Sequence, residues 1–167
     1  MIQAIETHYK GYRFRSRLEA RWAVFFDVLG IEWQYEPEGY NIDGVMYLPD
    51  FYLPQVGMFA EIKPAGLSED EIEKVNSLAY NTNKPVLMLI GVPDFVEYVA
   101  AEKFNPSDKD VTYIGYSLLN RYLDSEHRFP CMAYTIDHDE STFGTEYKRA
   151  VISARSARFE HGEAVHA

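Results

Sequence analysis

Residues 46–64 read MYLPDFYLPQVGMFAEIKP, and the interpretation of the whole chain starts from this stretch. Its two halves are rich in the aromatic and aliphatic residues that fit a half-buried pleated surface, and a segment containing proline and glycine separates them. The stretch therefore predicts a β-hairpin. Because side chains alternate between the two faces of a strand, Glu61 and Lys63 share one face while Ala60 and Ile62 face a core.

The predicted hairpin places Asp50 beside Glu61, with Lys63 next to both. Two converging carboxylates are the ligands that Mg²⁺ takes from a protein. A cation bound there lowers the pKa of a water molecule and screens charge on a phosphate oxygen, and the lysine adds a positive charge nearby. The alternative is a solvated hairpin that carries an incidental Glu–Lys pair. The upstream position of Asp50 favours the metal site.

Pro49–Asp50 on one predicted strand and Glu61-Ile62-Lys63 on the next resemble the signature of the PD-(D/E)XK, or restriction-endonuclease-like, nuclease superfamily. The resemblance implies a metal-dependent endonuclease that hydrolyses phosphodiester bonds of DNA with Mg²⁺, or with Mn²⁺ in its place. It implies that Asp50 and Glu61 bind the metal together with the backbone carbonyl of Ile62. Lys63 would orient or help to deprotonate the attacking water and stabilise the pentacovalent phosphate. The chain looks most like small phage or mobile-element nucleases, some of which cut branched DNA.

Glu19 has two interpretations. Apolar residues at three- and four-residue steps predict a helix that begins after Ser16 and ends at Gly30. The resemblance implies that Glu19, on the helix before the hairpin, joins the catalytic and metal-binding residues. The segment Ser16-Arg17-Leu18-Glu19 is also a capping box, in which the Glu19 side chain would bind the Ser16 amide. The sequence favours the metal site and leaves the capping box open.

The net charge of −10, from 16 basic and 26 acidic residues, argues against a non-specific nucleic-acid coat protein. Basic residues instead concentrate near the N-terminus, among aromatic residues that suit stacking on bases. The residues expected to hold the DNA backbone are Arg13, Arg15, Arg17 and Arg21. Two other functions stay open: a catalytically inactive nuclease-fold module that binds nucleic acid, and an acidic phage protein that binds a host protein. Basic residues scattered away from Asp50 would favour the last of these.

The length of 167 residues with 47% hydrophobic residues predicts a single nuclease domain over residues 1–167. Residues 15–92 read as helix, three strands, helix and strand, which is the αβββαβ core that the resemblance implies. The expected fold class is thus α/β (α+β), with a mixed central sheet flanked by helices. Residues 93–167 are expected to form a C-terminal elaboration. It would consist of a helix from Pro93–Asp94 to about Lys103, strands near 111–114 and 129–136, and a helix over 143–163.

The remaining features set limits on environment and assembly. Cys131 is the single cysteine, which excludes an internal disulfide and a cysteine-based zinc site. No apolar run is long enough for a membrane span and the N-terminus lacks the apolar core of a signal peptide, so we expect no membrane partner and a cytoplasmic location. A homodimer is expected if both DNA strands are cut. Glu38 and the segment 137–140 carry acidic side chains but read as solvated turns.

Overall fold

The computed structural model describes residues 4–96, 98–103, 107, 109–116 and 144–159. This part of the chain is a mixed α+β fold with a mixed six-stranded sheet, two separate two-stranded sheets and three helices. The strands are β1 Thr7–Tyr9, β2 Tyr12–Phe14, β3 Gln34–Tyr35, β4 Tyr40–Ile42, β5 Val45–Tyr47, β6 Phe51–Leu53, β7 Met58–Lys63, β8 Val86–Ile90, β9 Tyr98–Glu102 and β10 Thr112–Tyr116. The helices are α1 Arg17–Leu29, α2 Glu69–Thr82 and α3 Thr145–Ser156. No helix of the described residues is long and apolar enough to cross a membrane.

The large sheet has the strand order β10-β9-β8-β7-β6-β3. Strands β7 and β8 run parallel, and the other neighbouring strands of this sheet are antiparallel. A parallel pair needs a crossover connection, and α2 supplies it between β7 and β8. Hairpins β1–β2 and β4–β5 lie outside this sheet.

Two hydrophobic clusters lie on opposite faces of the sheet. The larger one packs α1 and α3 against one face, and the smaller one packs α2 and the β4–β5 hairpin against the other. Strand β7 alternates between them as predicted, with Ala60 and Ile62 in the larger cluster and Phe59 in the smaller. Glu61 and Lys63 therefore lie on the α2 face, in the same row as Phe59.

Helix α1 begins and ends as its sequence predicts. The Ser16 side chain accepts a hydrogen bond from the Glu19 amide at the N-terminus. At the C-terminus Gly30 has a left-handed conformation with φ of 77°. The Gly30 and Ile31 amides donate to the carbonyls of Asp27 and Phe26, which completes a Schellman motif. These caps fix the two ends of α1 and therefore the position of Glu19 along the helix axis.

The central strands are tied to α1 at Gly91, the residue after β8. Its amide donates to the Lys63 carbonyl at 2.8 Å, and its carbonyl accepts from Trp22 Nε1 at 2.9 Å. Trp22 is fully buried against Phe25 and Phe26. The end of β7, where Lys63 lies, is thus anchored to the larger cluster.

Two predictions about secondary structure need correction. The predicted helix from Pro93–Asp94 to about Lys103 is wrong, because Tyr98–Glu102 is β9, paired with strands on both sides. Alanine and glutamate suit helices, but tertiary pairing overrides this weak preference. The three strands predicted between the first two helices are five in the structure, because β4 and β5 form a hairpin of their own between β3 and β6. Pro49, which lacks an amide proton for the ladder, lies in the break between β5 and β6.

The C-terminal predictions have mixed outcomes. The predicted strand near residues 111–114 is present as β10, Thr112–Tyr116. The last helix is shorter than predicted, since α3 spans Thr145–Ser156. The strand predicted near residues 129–136, Cys131 and the acidic segment 137–140 lie outside the described residues.

Candidate functional site

The β6–β7 hairpin brings Asp50 to the side of Glu61. Phe51 pairs with Ala60, so Asp50, the residue before β6, faces Glu61 across the hairpin. Its Oδ2 accepts a hydrogen bond of 2.7 Å from the Ile62 amide. The amide and carbonyl of one strand residue point to the same side, so the Ile62 carbonyl also faces the edge where Asp50 lies. Two carboxylates and a backbone carbonyl therefore converge where β6 begins.

Glu61 is buried, with 6% of its surface exposed, and both of its carboxylate oxygens are held. Oε2 accepts a hydrogen bond of 2.6 Å from the Tyr47 hydroxyl, and Oε1 lies 2.9 Å from Lys63 Nζ. Burial, followed by the Glu61 charge, raises the pKa of Tyr47 above its ordinary value, so the phenol keeps its proton and acts as a donor. An ionised carboxylate accepts about four hydrogen bonds, so each oxygen keeps a position for a further ligand.

Lys63 lies between two glutamates. Its Nζ is 2.9 Å from Glu61 Oε1 and 3.3 Å from Glu71 Oε1. Burial alone would lower the pKa of Lys63, but the carboxylates of Glu61, Asp50 and Glu71 together raise it. The amine is therefore an ammonium group, which donates hydrogen bonds and positive charge and does not take up a proton.

Glu71 is a site residue that the sequence interpretation missed. It is the third residue of α2, and its Oε2 accepts from the Ser68 amide at 2.8 Å and from the Ser68 hydroxyl at 3.1 Å in a complete capping box. Ser68 followed by three acids is a typical start of a helix. The sequence carried no signal that this turn would lie beside Lys63, because that contact depends on how α2 packs on the sheet.

The pKa of Asp50 is strongly raised. Burial and then the Glu61 carboxylate raise it from its ordinary value of 3.8 to about 8, with Glu19 adding further repulsion. The Ile62 amide and Lys63 lower the pKa but do not compensate. Asp50 therefore holds a proton near neutral pH in the metal-free protein. A cation at this position would replace that proton.

Glu19 is buried and surrounded by donors. Its Oε2 accepts from the Tyr35 hydroxyl at 2.6 Å and the Arg15 amide at 3.1 Å, and its Oε1 accepts from the Ser16 hydroxyl at 2.8 Å. The capping interaction from Ser16 to the Glu19 amide is present, but the carboxylate binds the Arg15 amide and not the Ser16 amide. Glu19 therefore closes the turn between β2 and α1, and its repulsion of Asp50 places it near the site.

Two of the four predicted DNA-binding arginines pair with nearby acids. Arg13 lies 2.6 Å from Glu6, and Arg15 lies 2.6 Å from Glu36. Both arginine side chains are largely exposed, at 70% and 62%. These pairs reduce the positive charge that the N-terminal segment presents to a phosphate backbone.

The other two arginines lie on α1, one turn apart. Arg17 and Arg21 share a face of the helix, while Glu19 lies midway between them in sequence, about 200° around the helix from each. Both arginines are half-buried, and the Nε atom of each lies inside the protein. The structure thus brings Asp50, Glu61 and Lys63 together, and Glu19 lies close enough to repel the Asp50 carboxylate.

The donors at Asp50, Glu61 and the Ile62 carbonyl fit a hard cation. They are all oxygen atoms, and Mg²⁺ takes one or two carboxylates from a protein while keeping several waters. Burial and the Glu61 carboxylate raise the pKa of Asp50, and a cation bound here would offset both effects. Among the residues that the structure describes, no group of three or more histidine, cysteine, aspartate and glutamate side chains forms a ready metal cluster. The fit therefore depends on the two carboxylates and the carbonyl.

No family model, curated protein or solved structure matches this chain. The function must therefore be inferred from the chemistry of the site residues. The site offers two carboxylates and a backbone carbonyl, with an ammonium group beside them.

Proposed function

We propose that this protein is a metal-dependent endonuclease that hydrolyses phosphodiester bonds of DNA, with Mg²⁺ or Mn²⁺ as cofactor. The observation that carries the proposal is the convergence of Asp50, Glu61 and Lys63 at the start of the β6–β7 hairpin. The order α1, β3, β6, β7, α2, β8, with these four strands adjacent in one sheet, supports a restriction-endonuclease-like core.

Asp50 and Glu61 would hold the cation, with the Ile62 carbonyl as a further ligand. The bound cation supplies a water of lowered pKa and positive charge for the phosphate. Lys63, as an ammonium group, orients the attacking water by donating to it and stabilises the charge that develops on the phosphate oxygens. Since the carboxylates of Glu61, Asp50 and Glu71 outweigh burial and keep Lys63 protonated, the lysine would not take the proton of the attacking water, which would leave to solvent once the cation had lowered the pKa of that water.

Contact with DNA is assigned to the basic N-terminal segment, in which Arg17 and Arg21 lie one turn apart on α1. Arg13 and Arg15 lie before that helix and reach solvent despite their acidic partners. Each chain carries one candidate site, so cleavage of both strands would require a homodimer. Branched DNA is the substrate class that the resemblance to mobile-element nucleases favours.

The distribution of the arginines favours a second candidate function. Arg13 and Arg15 pair with acids, and the chain has a net charge of −10. An acidic protein that binds a basic partner protein would show this pattern. In that case the adjacent carboxylates of Asp50 and Glu61 would be a costly remnant without catalytic use.

A cleavage assay on single-stranded, duplex, flap and four-way-junction DNA separates the two candidates. The wild type would be assayed with Mg²⁺, with Mn²⁺ and with EDTA, beside Asp50→Asn and Lys63→Ala. Asp43→Asn is the matched control, because Asp43 is an exposed acid in the turn between β4 and β5. We expect metal-dependent cutting that both site variants lose and Asp43→Asn keeps.

Two results would overturn the proposal. Cutting that survives in Asp50→Asn would show that another site or a contaminant is responsible. No cutting of any of the four DNAs with either metal, by protein that is folded, would leave the acidic partner-binding function as the better explanation.

A further inference from the structure

Tyr47 connects Glu61 to a hairpin that is not part of the large sheet. Strands β4 and β5 pair only with each other within the described residues, and Tyr47 is the last residue of β5. Its hydroxyl crosses to β7 and donates a hydrogen bond of 2.6 Å to Glu61 Oε2. Of the described side chains, Tyr47 and Lys63 donate hydrogen bonds to the Glu61 carboxylate.

The hairpin holds Tyr47 in place through the smaller hydrophobic cluster. Ile42 is buried there, and the ring of Tyr40 meets the ring of Phe59 with centroids 5.4 Å apart. The Tyr47 ring packs against the same cluster. The phenol therefore approaches Glu61 from a fixed direction.

The two donors to Glu61 differ in how many protons and how many partners they have. Lys63 is shared with Glu71, and an ammonium group has three protons, so it can turn toward a phosphate without leaving its partners unpaired. A phenol has one proton, and the Tyr47 proton goes to Glu61 Oε2. Tyr47 thus holds the Glu61 carboxylate plane whether or not Lys63 engages a substrate.

We propose that Tyr47 is a positioning residue that fixes the Glu61 carboxylate for binding of the divalent cation, an inference that rests on the proposed function. Glutamate has three side-chain torsions, and a carboxylate held on one oxygen by a fixed donor can rotate far less. Partners that orient metal ligands in this way contribute about 10- to 100-fold to metal affinity or activity in other sites. The β4–β5 hairpin is therefore part of the metal site although it contributes no ligand.

The experiment measures Mn²⁺ affinity of the full chain by calorimetry, without DNA, for the wild type and three variants. Tyr47→Phe removes one hydroxyl and keeps the ring. Tyr40→Phe is the matched control, because the Tyr40 hydroxyl donates to Glu38 Oε1 at 2.7 Å on the same hairpin but at an exposed position. Glu61→Gln removes the proposed ligand charge and keeps an acceptor for Tyr47. Circular dichroism and thermal unfolding in EDTA verify that each variant is folded.

We expect Tyr47→Phe to weaken Mn²⁺ binding about tenfold, Tyr40→Phe to leave it within about twofold, and Glu61→Gln to abolish it. DNA cleavage by Tyr47→Phe should then need about tenfold more Mn²⁺ and recover at saturation, a shift that a change in stability alone would not produce. Unchanged Mn²⁺ affinity in Tyr47→Phe, with binding lost in Glu61→Gln, would overturn the role of Tyr47 and leave the metal site intact. Absence of Mn²⁺ binding by the wild type, or unchanged binding in Glu61→Gln, would overturn the proposed function itself.

Discussion

Asp50→Asn should make the metal-free protein more stable at neutral pH while removing its proposed activity. Burial and the Glu61 charge raise the pKa of Asp50 from 3.8 to about 8 in the folded protein, whereas the unfolded chain keeps the ordinary value. Between those two pH values the folded protein binds one proton more than the unfolded chain. The free energy of unfolding contributed by this group therefore falls as the pH rises through that window.

The magnitude follows from proton linkage. One proton of difference changes the free energy of unfolding by about 1.4 kcal/mol for each pH unit. Asparagine does not titrate, and its side-chain oxygen can still accept the Ile62 amide that now binds Asp50 Oδ2. The stability of Asp50→Asn relative to the wild type should thus increase by about 3 kcal/mol between about pH 5 and about pH 7.

Urea unfolding in EDTA, followed by the fluorescence of the buried Trp22, measures this difference. Asp43→Asn controls for the loss of one acid at an exposed position and should track the wild type across the pH range. A stability difference that stays constant with pH would refute the reasoning. The reasoning would also be refuted if the free energy of unfolding of the wild type rose relative to that of Asp50→Asn as the pH rises. In that case Lys63 and the Ile62 amide would outweigh burial in setting the pKa of Asp50. Added Mn²⁺ should stabilise the wild type and not Asp50→Asn, since a ligand that binds only the folded protein stabilises it.

Two further variants test the roles of Glu19 and of the arginines on α1. Glu19→Gln replaces a carboxylate whose oxygen accepts from Tyr35 and Arg15, so the free energy of unfolding should fall by about 1–3 kcal/mol. The Mn²⁺ affinity should stay unchanged. A tenfold loss of Mn²⁺ affinity would instead show that Glu19 is a metal ligand. Arg17→Ala combined with Arg21→Ala, made in Asp50→Asn to prevent cutting, should flatten the dependence of log K for duplex DNA on log salt by about 2. Fluorescence anisotropy measures this slope, and Arg13→Ala, which removes an arginine already paired with Glu6, should change it less. An unaltered slope in the double variant would remove α1 from the DNA contact.

The local features of the site could be predicted from the sequence because their signals are local. Ser16 and Gly30 mark the ends of α1, and the alternation of Ala60 and Ile62 with Glu61 predicts which side chains share a face. The register that brings Asp50 to Glu61 follows from a short turn between β6 and β7. Each of these inferences needs only neighbouring residues.

The wrong prediction of a helix after Pro93 and the two site residues that were not predicted depend on packing between distant segments. Tyr98–Glu102 forms β9 because strands lie on both sides of it, a fact that its helix-forming alanines cannot reveal. Tyr47 and Glu71 reach the site from a separate hairpin and from the start of α2, so no spacing in the sequence identifies them.

The arginines are a different case. Arg13, Arg15, Arg17 and Arg21 are grouped in the sequence because they are neighbours in the chain, whereas the contact of Arg15 with Glu36 depends on folding.

Glu71 makes two contacts through its two carboxylate oxygens, and these contacts couple the dynamics of α2 to Lys63. One of its oxygens closes the first turn of α2 through Ser68, and the other meets Lys63. Fraying of that turn would withdraw the Glu71 carboxylate and leave Glu61 as the partner of Lys63, so the local opening equilibrium of α2 and the position of Lys63 are linked. Amide hydrogen exchange at the start of α2 would consequently report on the state of the lysine, although those amides take no part in the chemistry.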